Sequence, residues 1–447
     1  MNKLLIVLII LLGIIAIAQL MRVYELSSKL RNKREEDISE GDNKLNGTLM
    51  LVFMIAFYAF FIWQLAVYGG GELGPSASEH GVSTDWLLLI NFYIIITVFF
   101  ITNTLLFYFA YKYSYKKDRK ALYYPHNNKL EMIWTIVPAA VMAVIIILGL
   151  KTWNEITAES GSEAVKVEVY AKQFDWTARY SGENNELGHS DFRLVLSGGV
   201  PNPLGVLTTP GLDMRISELK MEIDSLERIT VKSDSADEFA DVLADEKYYL
   251  AKSKIDRTKR HLAKIEDLRK NHSAELDTKA FDDKVVKEIY LIKGKEYEFT
   301  FRSQDVIHSA YFPHFRAQMN CVPGMTTRFK FIPTITTKEF RELPETIEKM
   351  KYVNKYRRAK GILKDADPDI EFDYILLCNK ICGAAHSNMQ LKVVVVENED
   401  EFKNWWDAQK SIKQAYFPEP EKKEDTNVAD TSAANANVAP PVVAINN

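Results

Sequence analysis

Four long apolar runs dominate the first third of the chain, and the remainder, rich in Lys, Glu and Asp, has no comparable run. Each run approaches the ~20 residues that a helix needs to cross the hydrocarbon core of a bilayer. The pattern therefore predicts a membrane anchor that carries a large polar region. It places an apolar helix, either a membrane helix or a signal segment, at 1–21 and transmembrane helices at 48–68, 86–111 and 131–150.

Basic residues are confined to alternate loops between these runs. The loops at 22–44 and 112–129 each contain six Lys or Arg, whereas the loop at 69–85 contains none. Under the positive-inside rule the basic loops are cytoplasmic, so everything from about Lys151 onward lies outside, in a periplasm or its equivalent. The basic cluster directly behind the first run favours its retention over cleavage as a signal peptide, and either outcome leaves the final topology unchanged.

The exported region contains short β-branched and aromatic stretches bounded by Gly, Pro and Asn. Stretches of this kind predict the strands of an all-β Greek-key sandwich. We expect this domain to span 151–410. Its predicted strands lie within 165–176, 285–303, 326–333, 372–378 and 391–398.

Two helical patterns interrupt the strands. From Leu212 the apolar residues step by four and three, which predicts a charged helical hairpin inserted at 212–280. The residues alone leave open whether this hairpin only decorates the domain or docks a partner. A smaller helical insertion is predicted at 338–364 and an amphipathic helix at 399–410, and the segment 411–447 lacks the apolar content to pack and is expected to be disordered.

Composition mainly excludes classes of function. The net charge of −4 over 447 residues is close to balance and gives no indication of a nucleic-acid partner. The chain has three cysteines and no Cys-x-x-Cys-His sequence, so we expect no covalently attached haem.

The candidate chemistry is concentrated between two predicted strands, where Cys378, Cys382, His386 and Met389 lie within a dozen residues. Outside the cytoplasm a pair of cysteines usually forms a disulfide, but a disulfide leaves the histidine and the methionine unexplained. Thiolate, thioether and imidazole donors together select copper. A structural zinc would not need the methionine, and the chain lacks paired Cys-x2-Cys units.

A second imidazole is available from His308, which we place at the end of another predicted strand. Two thiolates bridging two copper ions, one histidine on each ion and Met389 as a weak ligand would use every soft donor in this region. A mixed-valence pair in a fixed site changes its geometry little on reduction, as rapid electron transfer requires. The disulfide remains the alternative at this point.

Four stretches of the chain resemble subunit II of the haem–copper cytochrome c oxidases, in the same order. The similarity covers about 86–176, 282–335 and 372–410, but neither the first two crossings nor the helical insertions. It implies a cupredoxin-like sandwich. The stretches are "HNNKLEMIWTIVPAAV" (126–141), "AKQFDWTARY" (171–180), "SQDVIHSAYFPHFRAQMNCVPGM" (303–325) and "CNKICGAAHSNM" (378–389).

The resemblance implies a binuclear copper A centre with two copper ions. The thiolates of Cys378 and Cys382 would bridge the copper ions, and the imidazoles of His308 and His386 would bind one copper each. Met389 would supply a weak thioether ligand and Lys380 a backbone carbonyl. The family usually has Glu at position 380, where its side chain helps to hold a magnesium ion against subunit I. The cationic Lys380 side chain disfavours that magnesium contact.

The resemblance also implies two routes into the complex. Phe174 stands where the family usually has the tryptophan through which electrons enter, and Trp176 matches a second family aromatic; the alternative is that both are packed strand residues. Glu131 matches the residue at the mouth of a proton-uptake path in subunit I, although a carboxylate there is also an ordinary helix N-terminal charge.

By this resemblance the chain is the electron-entry subunit of a proton-translocating cytochrome c oxidase. It would accept electrons from a c-type cytochrome and pass them to the haem of subunit I, where oxygen is reduced to water. Subunits I and III, the cytochrome donor, a neighbouring respiratory complex and membrane lipid are the expected partners. The alternatives are a copper-free subunit II of the quinol oxidase type and a non-catalytic, membrane-anchored cupredoxin domain.

Overall fold

The computed structural model describes residues 2–30, 39–69, 74–196, 202–233 and 241–418. These residues fall into two compact units. The first comprises Met1–Tyr180 and Val286–Ala408, and the second comprises Ser181–Val285 and Gln409–Asn447.

Four helices of the first unit are long and apolar enough to cross a membrane, which makes the chain a multi-pass membrane protein. All but the first begin before the predicted positions, because polar residues outside the apolar runs cap them. Ser39 accepts a hydrogen bond from the backbone N–H of Asp42, and Ser78 accepts one from that of Gly81. The helices are α1 (Asn2–Leu30), α2 (Glu40–Tyr68), α3 (Glu79–Lys112) and α4 (Asn128–Thr157).

Helices α2 and α3 pack against each other along an aromatic seam. The Tyr58 hydroxyl donates a hydrogen bond to the carbonyl of Phe100 at 3.1 Å, and the two rings meet edge to face with centroids 4.6 Å apart. Near the opposite end, a Cβ added to Gly47 would lie 3.2 Å from Tyr111 Cα, so glycine permits the close approach of the two backbones. Packing and hydrogen bonding of this kind associate helices in lipid.

The predicted sandwich is confirmed as two five-stranded sheets. The first has the order β3-β2-β1-β5-β8, with β1 at Val165–Lys172, β2 at Asp175–Tyr180, β3 at Lys284–Val286, β5 at Tyr297–Ser303 and β8 at Thr327–Phe331. The second has the order β4-β10-β9-β6-β7, with β4 at Glu288–Ile292, β6 at His308–Phe312, β7 at Ala317–Cys321, β9 at Tyr374–Cys378 and β10 at Gln390–Val396.

The core lies between the two sheets and is largely aromatic. Residues of alternating register point inward, because successive side chains of a strand face opposite sides. Phe299 of β5 stacks on Phe331 of β8 with centroids 5.0 Å apart, and Phe312 of β6 meets Phe299 at 5.4 Å. All three rings are buried. This rigid core fixes the strand ends that carry the candidate site.

Short helices follow the predicted insertions of the first unit. The 338–364 insertion contains α8 (Thr337–Glu342) and α9 (Pro344–Ala359), and the predicted 399–410 helix is observed as α10 (Glu399–Asp407). A capping box between Thr336 and Glu339 begins α8. Trp405 of α10 stacks on Tyr290 of β4 with centroids 4.5 Å apart, which anchors the helix to the second sheet.

The second unit contains the helical hairpin. Its two arms are α5 (Thr209–Ser233) and α6 (Asp241–Asn271), followed by the single-turn α7 (Thr278–Phe281). Leu212, Leu219 and Ile265 form a buried seam between the arms, as the heptad pattern predicts. Ion pairs such as Lys254–Glu222 and Lys259–Glu227 link the arms outside the seam.

The segment 411–447, expected to be disordered, begins instead with helix α11 (Ile412–Tyr416). A capping box between Ser411 and Gln414 starts this helix, and the Ile412 side chain is buried. Local capping and one buried apolar residue thus order a stretch whose average composition is polar. The remainder of the predicted tail, 419–447, lies outside the described residues.

The segment before α3 is inserted into the sandwich. Ala77 and Ser78 are fully buried. The backbone N–H of Ala77 donates a hydrogen bond to the carbonyl of His314 at 2.7 Å, and the Ser78 hydroxyl donates one to the carbonyl of Phe315 at 2.6 Å. Arg316 forms a two-pronged ion pair with Asp85 in the first turns of α3, at 2.8 and 3.0 Å. These contacts tie the sandwich to the start of a membrane helix.

A buried charge cluster lies on the first sheet. Glu168 of β1 accepts hydrogen bonds from Arg179 of β2, at 2.8 Å, and from Arg302 of β5. Burial alone would raise the pKa of Glu168, but the two guanidinium groups hold that pKa below its ordinary value. The carboxylate therefore remains charged and compensates the buried Arg179 and the half-buried Arg302.

We predict that Glu168→Gln lowers the free energy of unfolding by about 3–5 kcal/mol at neutral pH, because it leaves the buried Arg179 and the half-buried Arg302 without their counter-charge. Denaturant unfolding followed by near-UV circular dichroism measures this change. Glu163→Gln, at an exposed turn residue, is the control and should change stability by less than about 0.5 kcal/mol.

The same cluster predicts a pH dependence. Since the pKa of Glu168 is lower in the folded chain, its stabilising effect is complete above the unfolded value of about 4.3 and is lost as the pH falls through the folded value. The stability difference between wild type and Glu168→Gln should therefore shrink in acid. Equal stability of the two proteins at neutral pH would contradict this account of the cluster.

Candidate metal centre

The pairing of two strands brings the candidate donors together. Strand β9 ends at Cys378 and β10 begins at Gln390, so the loop 379–389 connects adjacent antiparallel strands. Strand β6 pairs with the other edge of β9, with Ala310 opposite Cys378. His308 was predicted at the end of a strand, but it is the first residue of β6. This position places its ring at the start of the loop.

The soft donors are close neighbours in the folded chain. The Cys378 and Cys382 sulfur atoms lie 3.9 Å apart, and Cys378 Sγ lies 3.9 Å from His308 Nδ1. Cys382 Sγ lies 3.6 Å from His386 Nδ1 and 4.0 Å from Met389 Sδ. The predicted thiol, imidazole and thioether donors therefore surround one small volume.

The sixth predicted donor is a main-chain atom. The carbonyl oxygen of Lys380 lies 3.2 Å from Cys378 Sγ, whereas the lysine side chain is exposed. The backbone, and not the ammonium group, thus faces the sulfur atoms. The cationic side chain at this position is compatible with a metal ion bound among them.

The two cysteines of the loop are free and buried. Burial raises the pKa of Cys382 to about 11, and the neighbouring Cys378 sulfur contributes to this rise. Two thiolates in such a place repel each other unless a cation lies between them. A metal ion would supply that cation and displace the thiol protons, so the donor set fits a thiolate-bound metal.

Asp305 fixes the orientation of His308, and sequence patterns did not identify it. One carboxylate oxygen lies 2.9 Å from His308 Nε2, and the other accepts a hydrogen bond from the backbone N–H of Gln173 at 2.7 Å. With Nε2 bonded to the carboxylate, Nδ1 is left with a lone pair directed at Cys378. The feature of the sequence that could have identified Asp305 is its position three residues before a candidate histidine.

The two predicted electron-entry residues occupy different environments. Trp176 is fully buried; its Nε1–H donates to the carbonyl of Met389 at 3.2 Å, and its ring meets that of His308 edge to face at 6.1 Å. Phe174 is 37% exposed and lies against the loop, since a Cβ added to Gly383 would come within 2.7 Å of its ring. Phe174 therefore lies between the protein surface and the loop, whereas Trp176 contacts the loop from the interior of the sandwich.

Glu131 is not part of this cluster. It lies in the first turn of α4, where its carboxylate accepts a hydrogen bond from the backbone N–H of Asn127 at 3.2 Å. Helix α4 has 30 residues and is about 45 Å long, so Glu131 and the sandwich are at opposite ends of it. The contact with Asn127 is that of a helix-capping carboxylate.

Cys321 lies next to the cluster but is chemically distinct from it. It is the cross-strand partner of His308 and is fully buried in β7. Burial raises the pKa of its thiol to about 12, so it stays neutral at physiological pH. It provides a natural internal control for the other two cysteines.

Comparisons with known proteins identify relatives of this chain. A family model described as cytochrome c oxidase subunit II, transmembrane domain, matches residues 63–152, which include all of α3 and most of α4. The alternative cytochrome c oxidase subunit 2 of Bradyrhizobium diazoefficiens is 25% identical over 368 residues, which cover 81% of this chain and 90% of that protein.

Two further matches are partial. The probable quinol oxidase subunit 2 of Staphylococcus aureus is 30% identical over 115 residues, which are 25% of this chain and 30% of the relative. The periplasmic domain of subunit II of cytochrome oxidase (CoxB) of Bradyrhizobium japonicum aligns with a TM-score of 0.23 at 13% identity, covering 57% of this chain and 96% of that one. The family model and the long sequence match together make this chain similar to subunit II of the cytochrome c oxidases.

Proposed function

We propose that this chain is the electron-entry subunit of a respiratory cytochrome c oxidase and that its sandwich holds a binuclear copper A centre. The observation that carries the proposal is the convergence of two thiols, two imidazoles and a thioether, with neighbouring donors 3.6–4.0 Å apart. Soft donors of these kinds favour copper over magnesium, calcium or manganese.

Each donor has a defined part in this proposal. The thiolates of Cys378 and Cys382 and the imidazoles of His308 and His386 would hold the copper ions. The thioether of Met389 and the main-chain carbonyl of Lys380 would be the weaker ligands. When bound, a copper pair accepts and releases single electrons.

The protein keeps this donor set rigid. Cys378, Cys382 and Met389 are buried, and the loop is held by Trp176 Nε1–H and by Asp305 through His308. Ligands that are fixed by packing and hydrogen bonds move little when the charge of the site changes, which lowers the barrier to electron transfer.

Electrons enter at Phe174 in this proposal, because its ring is exposed on one side and contacts the loop on the other. We assign Trp176 a supporting role, since it is fully buried behind Met389. Glu131 marks the cytoplasmic mouth of a proton path shared with the catalytic subunit.

The proposed location and partners follow from the topology. The positive-inside pattern places the sandwich on the periplasmic side of the inner membrane, and the subunit II domain of Bradyrhizobium japonicum is likewise described as periplasmic. There it would receive electrons from a c-type cytochrome and pass them to the haem of subunit I, with subunit III as a further partner. Oxygen reduction and proton pumping belong to the whole complex.

A copper-free subunit of the quinol oxidase type is the second candidate, because one relative is described as a probable quinol oxidase subunit 2. A subunit that had lost its metal would have no need to bring soft donors together in a buried site. Copper content separates the two functions.

We predict that Cys382→Ser abolishes the copper pair in the purified complex, because serine cannot bridge two soft metal ions. About two copper ions per complex and the near-infrared absorption of the pair should disappear. Cys321→Ser is the matched control and should retain both. Equal copper content in the two variants, together with a Cys378–Cys382 disulfide in the wild type, would refute the proposal.

We predict that Asp305→Ala weakens copper retention about 10–100-fold, because His308 loses the partner that orients its ring. Competition with a copper chelator measures the change. Asp305→Asn keeps an acceptor oxygen and should lie between the wild type and the alanine variant. Asp407→Ala removes an exposed carboxylate of α10 and should leave copper retention unchanged. Unchanged copper retention in Asp305→Ala would show that the contact between Asp305 and His308 does not contribute to copper binding.

A further inference from the structure

A cavity of about 740 Å³ lies on the cytoplasmic side, where helix α2 begins and helix α3 ends. It is at the opposite end of α3 from the sandwich and the candidate metal centre. Its walls are the first turns of α2, the last turn of α3 and the segment that follows α3 as far as Arg119. Only 63–68 of α2 lie within the match to the family model, so one wall of the cavity comes from a helix that this match largely leaves out.

The segment after α3 folds back over the end of that helix and closes one side of the cavity. The Arg119 guanidinium donates hydrogen bonds to the carbonyl of Lys112, at 3.0 Å, and to the carbonyl of Ser114. The backbone N–H of Lys117 donates to the Glu40 carboxylate at 2.6 Å, which ties the segment to the first turn of α2. These hydrogen bonds give the cavity a defined shape without a ligand.

The lining of the cavity is positively charged. Four of its side chains are cationic and two are carboxylates, namely Lys44, Lys112, Lys116, Arg119, Glu40 and Asp118. In the part of the chain that the structure describes, the ammonium groups of Lys44 and Lys116 form neither an ion pair nor a hydrogen bond. Two free cations on different segments therefore converge on one space, which the general excess of basic residues in cytoplasmic loops does not require.

The cavity also lies at the boundary between hydrocarbon and water. Tyr111 and Tyr115 line it and are 40% and 59% exposed. Tyrosine rings are typical of this depth, because one end of the side chain is apolar and the other is polar. A ligand held here would have its anionic group among the cations and its apolar part against the tyrosine rings. A small soluble anion would leave those rings uncovered.

From this arrangement we infer that the cavity binds the headgroup of an anionic phospholipid of the cytoplasmic leaflet. Lys44 and Lys116 would bind the phosphodiester, and Lys112 and Arg119 would add to the positive potential around it. Basic pockets between membrane helices on this side of a membrane suit such headgroups. A zwitterionic lipid is disfavoured, because its own ammonium group would lie among these cations.

The first test measures lipid selectivity of the intact complex. The delipidated complex in a neutral detergent is mixed with equal amounts of phosphatidylglycerol and phosphatidylcholine, and native mass spectrometry counts the lipids that stay bound. We expect phosphatidylglycerol to be retained at least about fivefold over phosphatidylcholine. A smaller preference would overturn the inference.

Two matched double variants separate the cavity from the charge of the surface in general. Lys44→Gln with Lys116→Gln should weaken retention of phosphatidylglycerol about 30-fold, since each lysine close to an anionic lipid contributes about fivefold. Lys120→Gln with Lys129→Gln removes the same charge from exposed lysines that do not line the cavity, and should leave retention unchanged. Equal losses in the two double variants would overturn the inference.

A conservative pair of substitutions tests whether the loss comes from charge and not from misfolding. Lys44→Arg with Lys116→Arg keeps both cations and should retain phosphatidylglycerol within about threefold of the wild type. If this pair loses the lipid as completely as the glutamine pair does, the two cations do not bind a phosphodiester and the inference is wrong.

A soluble phosphate compound is the other source of the same anionic group. Inorganic phosphate at about 10 mM should displace less than half of the bound phosphatidylglycerol, because the lipid also buries apolar surface. Displacement of half or more would assign the cavity to a soluble phosphate and overturn the lipid assignment. All these outcomes are independent of copper binding and of electron transfer, so they leave the proposed function untouched.

Discussion

The pairing of β6 with β9 is the contact on which the candidate site depends. It places His308 beside Cys378, although 70 residues separate them in the chain. Both strands are held by the aromatic core between the sheets, so the two donors cannot separate without unpacking it. The segment from Cys378 to Met389 then supplies the remaining donors locally, and the result is a close set of soft donors, of which only His386 is partly exposed among those with side-chain donor atoms.

Two further sets of contacts hold the site and its domain in place. Trp176 and Asp305 hold the loop and His308 from within the sandwich. The segment around Ala77 and Ser78, with the Asp85–Arg316 ion pair, fixes the sandwich to the start of a membrane helix. Under the proposed function, a domain attached in this way would keep a constant distance to an electron acceptor in the membrane, on which the rate of electron transfer depends steeply.

Local patterns in the sequence were sufficient to predict the membrane helices and the strands of the sandwich and to single out the donors between Cys378 and Met389, because each of these depends on residues close together in the chain. They were not sufficient for contacts that only folding creates. Asp305 is recognisable as a second partner of His308 only after β6 and the turn at Gln173 come together. Helix α11 also escaped prediction, since one buried residue, Ile412, orders a polar stretch. The different environments of Phe174 and Trp176 likewise follow from the pleat of β2 and its neighbouring turn, not from residue type.

The claim that most needs a direct test is that this sandwich binds two copper ions that share one electron. Electron paramagnetic resonance of the oxidised native complex, with copper analysis, provides that test. The account predicts a hyperfine pattern from an electron divided equally between two copper nuclei. A spectrum without that signal, in a complex whose Cys378 and Cys382 are joined by a disulfide, would contradict it.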